Sequence, residues 1–325
     1  MKRKIAVIFT GGTISMTINQ DTKAATPSLS SGDIMSLVQN IKDIVDLELI
    51  DFSAIPGPHM TPEKMMELKA VISEKIAQPD IDGVVVTHGT DNLEETAYLL
   101  DLSLNVDKPI VMTGSMRNAS ELGYDGPSNL ASAILTAMDE NSYDRGVLVV
   151  LNDDINAACE VTKTHTMALD TFKSSGLGPI GIVDSNDVIY YRKQMFKRAI
   201  IETNQIEPDV ALLKSAAGMD SKILDFLVES KTKGIVIEAM GRGNLPPSML
   251  PGIENAIKNN IPVVLVSRNP RGRVSPSYGY PGGGLTLLNS GVIFASNING
   301  QKARIALMLA LTKTNNMEEL KQYFN

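Results

Sequence analysis

The sequence is poor in the groups that would mark several large classes of protein. It holds one cysteine, Cys159, so no internal disulfide can form, and no Cys/His/Asp cluster surrounds it to suggest a metal. That usage fits a reducing compartment. The three histidines, His59, His88 and His165, share no ligand spacing, so no metal is expected. Long apolar runs are missing too. The basic start Met1-Lys2-Arg3-Lys4 is followed only by Ile5 to Phe9 before Thr10-Gly11-Gly12 breaks the run, too short for a signal peptide or a membrane span. A cytoplasmic protein without a membrane partner is the expectation. Positive charge is scarce as well: 30 Lys and Arg against 37 Asp and Glu give a net charge of −7, which argues against a nucleic-acid partner. The one basic group, Arg268, Arg271 and Arg273, lies among Asn, Pro and Gly and reads as a solvated or interface loop. Glycine-rich nucleotide fingerprints are also lacking, because Thr10-Gly11-Gly12-Thr13-Ile14 has neither the G-x-G-x-x-G spacing nor a P-loop lysine. No period of the length used by solenoids or propellers is present.

What remains is a globular composition, 43% hydrophobic and 21% charged over 325 residues, enough for two cores. Short β-branched runs alternate with helical patterns. Ile5 to Thr10, Leu47 to Phe52, Val84 to Thr87, Ile110 to Thr113 and Val147 to Leu151 read as strands. Between them, Ser31 or Asp33 could cap a helix carrying Ile34, Leu37, Val38 and Ile41, and Thr61-Pro62 opens one carrying Met65, Leu68, Ile72 and Ile76. Another carries Leu93, Ala97, Leu100 and Leu104. The polar stretch Ile18 to Gly32 lacks periodicity and is expected to be a long mobile loop over the site. The pattern predicts an α/β protein of two domains: residues 1–187, a larger doubly wound, mostly parallel sheet; a linker at 188–208; and residues 209–325, a smaller αβ unit. In the second, strands fall at Val210 to Leu213, Ile235 to Glu238 and Val263 to Ser267, with helices at Ile223 to Val228, Gly252 to Lys258 and Lys302 to Thr312.

The chemistry collects after the strands. Ligands of open α/β sheets sit outside the strands' carboxyl ends, so Thr13, Thr90, Asp91 and Arg117 belong to one edge. Thr13 follows a double-glycine turn and is either its cap or a hydroxyl nucleophile beside backbone N–H groups. Asp91-Asn92-Leu93-Glu94 has the form of an N-capping box, while His88 reads as a hydrogen-bonded structural histidine. Lys163, in Val161-Thr162-Lys163-Thr164-His165, is either a solvated charge or, brought beside Asp91, a proton shuttle for a threonine.

Taken in order, Thr10-Gly11-Gly12-Thr13-Ile14, Thr87-His88-Gly89-Thr90-Asp91, Glu95-Thr96-Ala97, Asp125-Gly126-Pro127 and Val161-Thr162-Lys163-Thr164 resemble the bacterial L-asparaginase family, and the similarity runs from about Ile5 to the last helix. The resemblance implies hydrolysis of L-asparagine to L-aspartate and ammonia, with weaker action on glutamine and no cofactor. It implies Thr13 as nucleophile of an acyl-enzyme, Thr90, Asp91 and Lys163 as a second catalytic group, and Gly12, Gly57, Pro58, Gly89, Thr90, Asp91 and Asn244 as substrate-binding positions. It further implies a homo-oligomer, a tetramer built as a dimer of dimers, in which the C-terminal domain completes a neighbouring subunit's site through Asn244. Two departures stand out. The lid position that carries tyrosine in many relatives is Ala25, with no tyrosine before Tyr98, and the segment that often holds a binding serine reads Gly57-Pro58-His59-Met60. The alternatives are an amidotransferase subunit that releases ammonia from glutamine or asparagine, and a non-catalytic amino-acid sensor.

Overall fold

A computed structural model describes residues 2–38, 41, 43–196 and 199–324. The chain divides into two compact units, Met1–Ile200 and Ile201–Asn325. In the first, the strands are β1 (Arg3–Gly11), β2 (Met16–Ile18), β3 (Ala25–Pro27), β4 (Val45–Ile55), β5 (Gly83–Thr87), β6 (Ile110–Thr113), β7 (Val147–Leu151), β8 (Asp154–Ala157), β9 (Val161–Lys163), β10 (Phe172–Ser174), β11 (Gly181–Asp184) and β12 (Asp187–Tyr190). Its helices are α1 (Ser31–Ser36), α2 (Pro62–Ile76), α3 (Leu93–Ser103) and α4 (Gly126–Met138).

Eight of these strands form one sheet in the order β12-β11-β8-β7-β6-β5-β1-β4. The five from β4 to β7 are parallel; β8, β11 and β12 add an antiparallel edge. The inner parallel strands β5, β6 and β7 are buried on both faces, which is why they read as unbroken apolar runs, whereas β4 at the sheet edge is half exposed and alternates. Ile5, Val7 and Phe9 of β1 lie in one core with Val85, Val111, Leu148 and Val150, covered by Ile34 and Met35 of α1 and Leu130, Ala133 and Ile134 of α4. The helices α2 and α3 pack on each other and on the sheet.

Strand order places the site. The connection leaving β1 runs to β4 on one side of it, whereas the connection leaving β5 runs to β6 on the other. The carboxyl ends of β1 and β5 therefore flank the point where the winding reverses, the place where such sheets open a crevice. Register keeps these ends level, with Phe9 opposite Thr87 and Thr87 opposite Thr113.

Several expectations need correction. The stretch expected as a mobile loop forms a hairpin, with Met16, Thr17 and Ile18 of β2 paired to Pro27, Thr26 and Ala25 of β3. Polar residues satisfy the ladder as well as apolar ones do, so this hairpin leaves no apolar alternation in the sequence. The first helix ends at Ser36, short of Val38 and Ile41, and its cap is Ser30, whose hydroxyl accepts from the Asp33 N–H while the Asp33 carboxylate accepts from the Ser30 N–H. Asn40 and Lys42, between and beyond those positions, lie outside the described residues. The expected linker at 188–208 starts inside β12, whose pairing with β11 keeps Asp187–Tyr190 in the first unit's sheet. By contrast, Thr61 caps α2 with Pro62 at its first position, and Met65, Leu68, Ile72 and Ile76 are buried, as their spacing predicts.

The second unit contains β13 (Val210–Lys214), β14 (Gly234–Ala239), β15 (Val263–Ser267) and β16 (Ile293–Phe294) in one parallel sheet of that order. Its helices are α5 (Lys222–Glu229), α6 (Leu250–Lys258), α7 (Gly284–Asn289), α8 (Gly300–Ala310) and α9 (Met317–Lys321). A separate core forms around Ile235, Ile237, Ile253, Val263 and Leu265. No helix among the described residues is long and apolar enough to cross a membrane.

Candidate active site

Three loops meet beyond the carboxyl ends of β4, β1 and β5, and they meet through glycine. A Cβ on Gly12 would lie 2.5 Å from Gly89 Cα, and one on Gly89 would lie 2.6 Å from Gly57 Cα. Backbone thus packs on backbone at distances that no side chain permits. Gly12 also has a φ of 83°, a region glycine enters without strain, and its N–H donates to Ile55 O at 2.9 Å. Further bonds fix the loops: Thr10 Oγ1 donates to Thr87 O at 2.8 Å, the His88 N–H to Thr113 O at 2.8 Å, and Asn92 Nδ2 to Met60 O at 3.1 Å. Thr13 and Thr90, each one residue beyond the Gly12–Gly89 contact, are carried to the same edge of the sheet.

Thr13 opens a short turn of 3-10 helix, Thr13–Ser15, closed by the Ser15 N–H and Oγ bonding Gly12 O at 3.0 and 2.9 Å. Its neighbours Ile14 and Ser15 are buried while Thr13 itself is partly exposed. Across the crevice, Lys163 Nζ donates to Thr90 Oγ1 at 3.0 Å and to Asp91 Oδ1 at 2.9 Å. The lysine side chain is 16% exposed, the aspartate 65%. Because the Thr90 hydroxyl accepts from the ammonium, its own hydrogen is directed elsewhere. This arrangement can hold and polarise a water or carry a proton, and the exposed carboxylate can receive a cationic group.

The structure overturns the capping-box expectation for Asp91. The residue at the start of α3 is Asn92, which makes no side-chain cap bond, and the Asp91 carboxylate turns to Lys163 instead. His88 is structural as expected: it is fully buried, its Nδ1 bonds Gly89 O at 2.8 Å and its Nε2 bonds Thr96 Oγ1 at 3.0 Å. Burial pushes its imidazole down to about 4, only partly opposed by the Gly89 carbonyl, so the ring is neutral at ordinary pH.

Lys163 reaches the site from β9, which pairs with β10 through Lys163 opposite Phe172 and Val161 opposite Ser174. The side chain of Glu160, just before β9, is fully buried and held by Arg192 at 2.6 Å and by the Met195 N–H at 2.5 Å. Sequence reading missed both Glu160 and Arg192, since their partnership joins residues 32 apart with no local pattern. Gly57 is buried, Pro58 exposed, and both sit in the turn Gly57–His59 after β4. Arg117, expected at the same edge, spends its guanidinium on the carbonyls of Leu122 and Gly123. Asn244 belongs to the second unit, where it bridges to Met240 and its Oδ1 accepts from the Gly284 N–H at 3.3 Å. It is not among the residues that the first unit gathers. Among the described residues no group of three or more His, Cys, Asp or Glu could hold a metal.

Two family models match in tandem: Asparaginase, N-terminal over residues 4–196, and Glutaminase/Asparaginase C-terminal domain over 209–324. The chain belongs to the bacterial L-asparaginase family, a family of amidohydrolases. It is 39% identical over 324 residues to a probable L-asparaginase of Deinococcus radiodurans, covering 99% of this chain and 97% of that one. It is 34% identical over 311 residues to an L-asparaginase of Bacillus licheniformis, covering 96% of each. Among solved structures it resembles a probable cytoplasmic L-asparaginase from Campylobacter jejuni, with a TM-score of 0.89, 32% identity and 99% of each chain covered.

Proposed function

We propose that the protein hydrolyses L-asparagine to L-aspartate and ammonia through an acyl-enzyme on Thr13, with weaker action on L-glutamine. The observation that carries this reading is the Lys163 ammonium poised between Thr90 Oγ1 at 3.0 Å and Asp91 Oδ1 at 2.9 Å, on the loop that Gly89 packs against the Thr13 turn. In the first step a bond forms between Thr13 Oγ and the side-chain carbonyl carbon. The C–N bond breaks, and the hydroxyl proton leaves with the amide nitrogen as ammonia. In the second, water held by Thr90 and Lys163 attacks the ester, the C–Oγ bond breaks, and a proton returns to Thr13. Backbone N–H groups of the glycine turns stabilise the oxyanion. Asp91 receives the substrate's α-ammonium, and Gly12, Gly57, Pro58 and Gly89 shape the floor of the pocket. Asparagine is preferred over glutamine because one methylene displaces the reacting carbon from Thr13 by more than productive geometry tolerates.

By its membership of the family the chain is proposed to form a homo-oligomer, a tetramer as a dimer of dimers, in which residues 209–325 bring Asn244 to a neighbouring subunit's site. The lone cysteine and the solved cytoplasmic relative support a cytoplasmic location. A coupled ammonia assay on the purified protein tests the function. Faster release from L-asparagine than from L-glutamine is expected. Saturable asparagine binding with no ammonia would identify a sensor instead, and a marked preference for glutamine would point to an amidotransferase role.

A further inference from the structure

The peptide that follows Thr13 is tied to a loop that the mechanism above does not use. Between β6 and α4, the Ala119 N–H donates to Met16 O at 3.0 Å and Ser120 Oγ accepts from the Ile18 N–H at 3.0 Å. The bond nearest to Thr13 is the third: Tyr124 Oη donates to Ile14 O at 2.5 Å. On its other side Thr13 is preceded by two glycines with positive φ, 105° at Gly11 and 83° at Gly12. That side is anchored by the Gly12 N–H bond to Ile55 O and the packing of Gly12 on Gly89. The direction of the Thr13 side chain then depends also on what holds the Ile14 carbonyl on the far side of the turn.

Tyr124 is built to hold it. Its ring lies against the start of α4, where a Cβ on Gly126 would stand 2.5 Å from ring atoms, and it packs on the core that contains the fully buried Ile14. The next residue, Asp125, pins the loop by accepting from the N–H groups of Met116 and Arg117 and from Asn129 Nδ2 at 3.0, 2.9 and 2.9 Å. Burial raises the phenol above its ordinary range, so the hydroxyl stays a donor across the working pH range.

From this geometry we infer that Tyr124 is a positioning residue for Thr13, setting the nucleophile's angle through the Ile14 carbonyl. The inference rests on the reading of Thr13 as nucleophile. Tyr124→Phe keeps the ring and removes only the donor. In the full-length protein it is expected to lower kcat for L-asparagine by about ten- to a hundredfold, since small misplacements of reacting groups carry penalties of that order. KM should stay within about twofold, because Asp91, which receives the α-ammonium in the proposed mechanism, lies on another loop and a change confined to the reacting angle falls on kcat. Hydrogen exchange should quicken in a peptide covering residues 13–18 and stay unchanged in one covering 84–95. Gly126→Ala, whose methyl would overlap the Tyr124 hydroxyl oxygen and so pushes it off the Ile14 carbonyl while tyrosine itself is retained, should give the same split by a second route. Parallel changes in kcat and KM with faster exchange in both peptides would mean general loosening and overturn the inference, as would unchanged kcat or exchange. If the parent releases no ammonia, the asparaginase reading fails along with the catalytic role. A lost exchange contrast in an active parent, by contrast, sinks only the role of Tyr124.

Discussion

His88 stands two residues before Thr90 and is closed to chemistry by its own burial. Its folded-state value of about 4 lies below the ordinary 6.5, so the ring is neutral in both folded and unfolded chains at neutral pH, where its contribution to stability is complete. As pH falls through 6.5 toward 4 the unfolded chain takes up a proton that the folded one refuses, and stability is lost across that window by on the order of 3 kcal/mol. Chemical denaturation at about pH 7 and about pH 4.5 should show a larger acid loss for the parent than for His88→Gln. Equal losses would exclude His88 as the titrating group. In the proposed mechanism Lys163 is the opposite case, a charge that serves chemistry more than stability. Its pair with Asp91 is open to water on the carboxylate side, and such pairs are worth little. Lys163→Met should reduce ammonia release by about a hundredfold or more while the melting temperature moves by only about 2 °C. Lys163→Arg should not restore activity, because a planar guanidinium cannot take the place of a compact ammonium between two oxygens. A lysine variant that keeps parental activity would remove Lys163 from the mechanism.

At the scale of elements, the site depends on loops that interlock through Gly12, Gly89 and Gly57. Gly89→Ala would set a methyl 2.6 Å from Gly57 Cα, and overpacking of this kind costs about 1–3 kcal/mol. Thermal melting should report that loss together with reduced activity. A Gly89→Ala protein as stable and active as the parent would show that the loops can part without consequence. The parallel strands and α2 were legible in sequence, because burial on both faces writes unbroken apolar runs in the inner strands, half-exposure writes alternation in β4, and a helix cap is a local signal. The short strands β8 to β12 were not, since they are brief and lie either at the antiparallel edge of the sheet or, for β9 and β10, in a two-stranded ribbon of their own. α4 went unread as a helix although Asp125-Gly126-Pro127 stood out as a motif. The role of Asp91 was hidden for another reason. Locally its carboxylate has a cap's spacing, and only a lysine 72 residues away reveals its partner. Long-range pairing of this sort leaves no trace in a window of sequence, and the same holds for Tyr124 and Ile14, 110 residues apart.

For the whole molecule, each unit has its own core; in the assembly proposed above, the site would draw on both units through a neighbouring subunit. That sharing makes an unusual prediction. Thr13→Ala and Asn244→Ala proteins, each inactive or nearly so alone, should regain activity when dissociated and reassembled together, because some sites in the mixed assembly then combine an intact Thr13 with an intact Asn244. No recovery on mixing, with mixed assemblies confirmed by mass, would place both residues in one subunit's site or remove Asn244 from it. A monomer at full activity would contradict sharing altogether.

The most direct test of Thr13 as nucleophile is a rapid acid quench of the protein turning over L-asparagine, followed by peptide mass mapping. The account predicts a transient increment of one β-aspartyl group on the peptide carrying Thr13, absent from Thr13→Ala, which should also release no ammonia. An adduct on any other residue, or parental ammonia release from a folded Thr13→Ala protein, would contradict it.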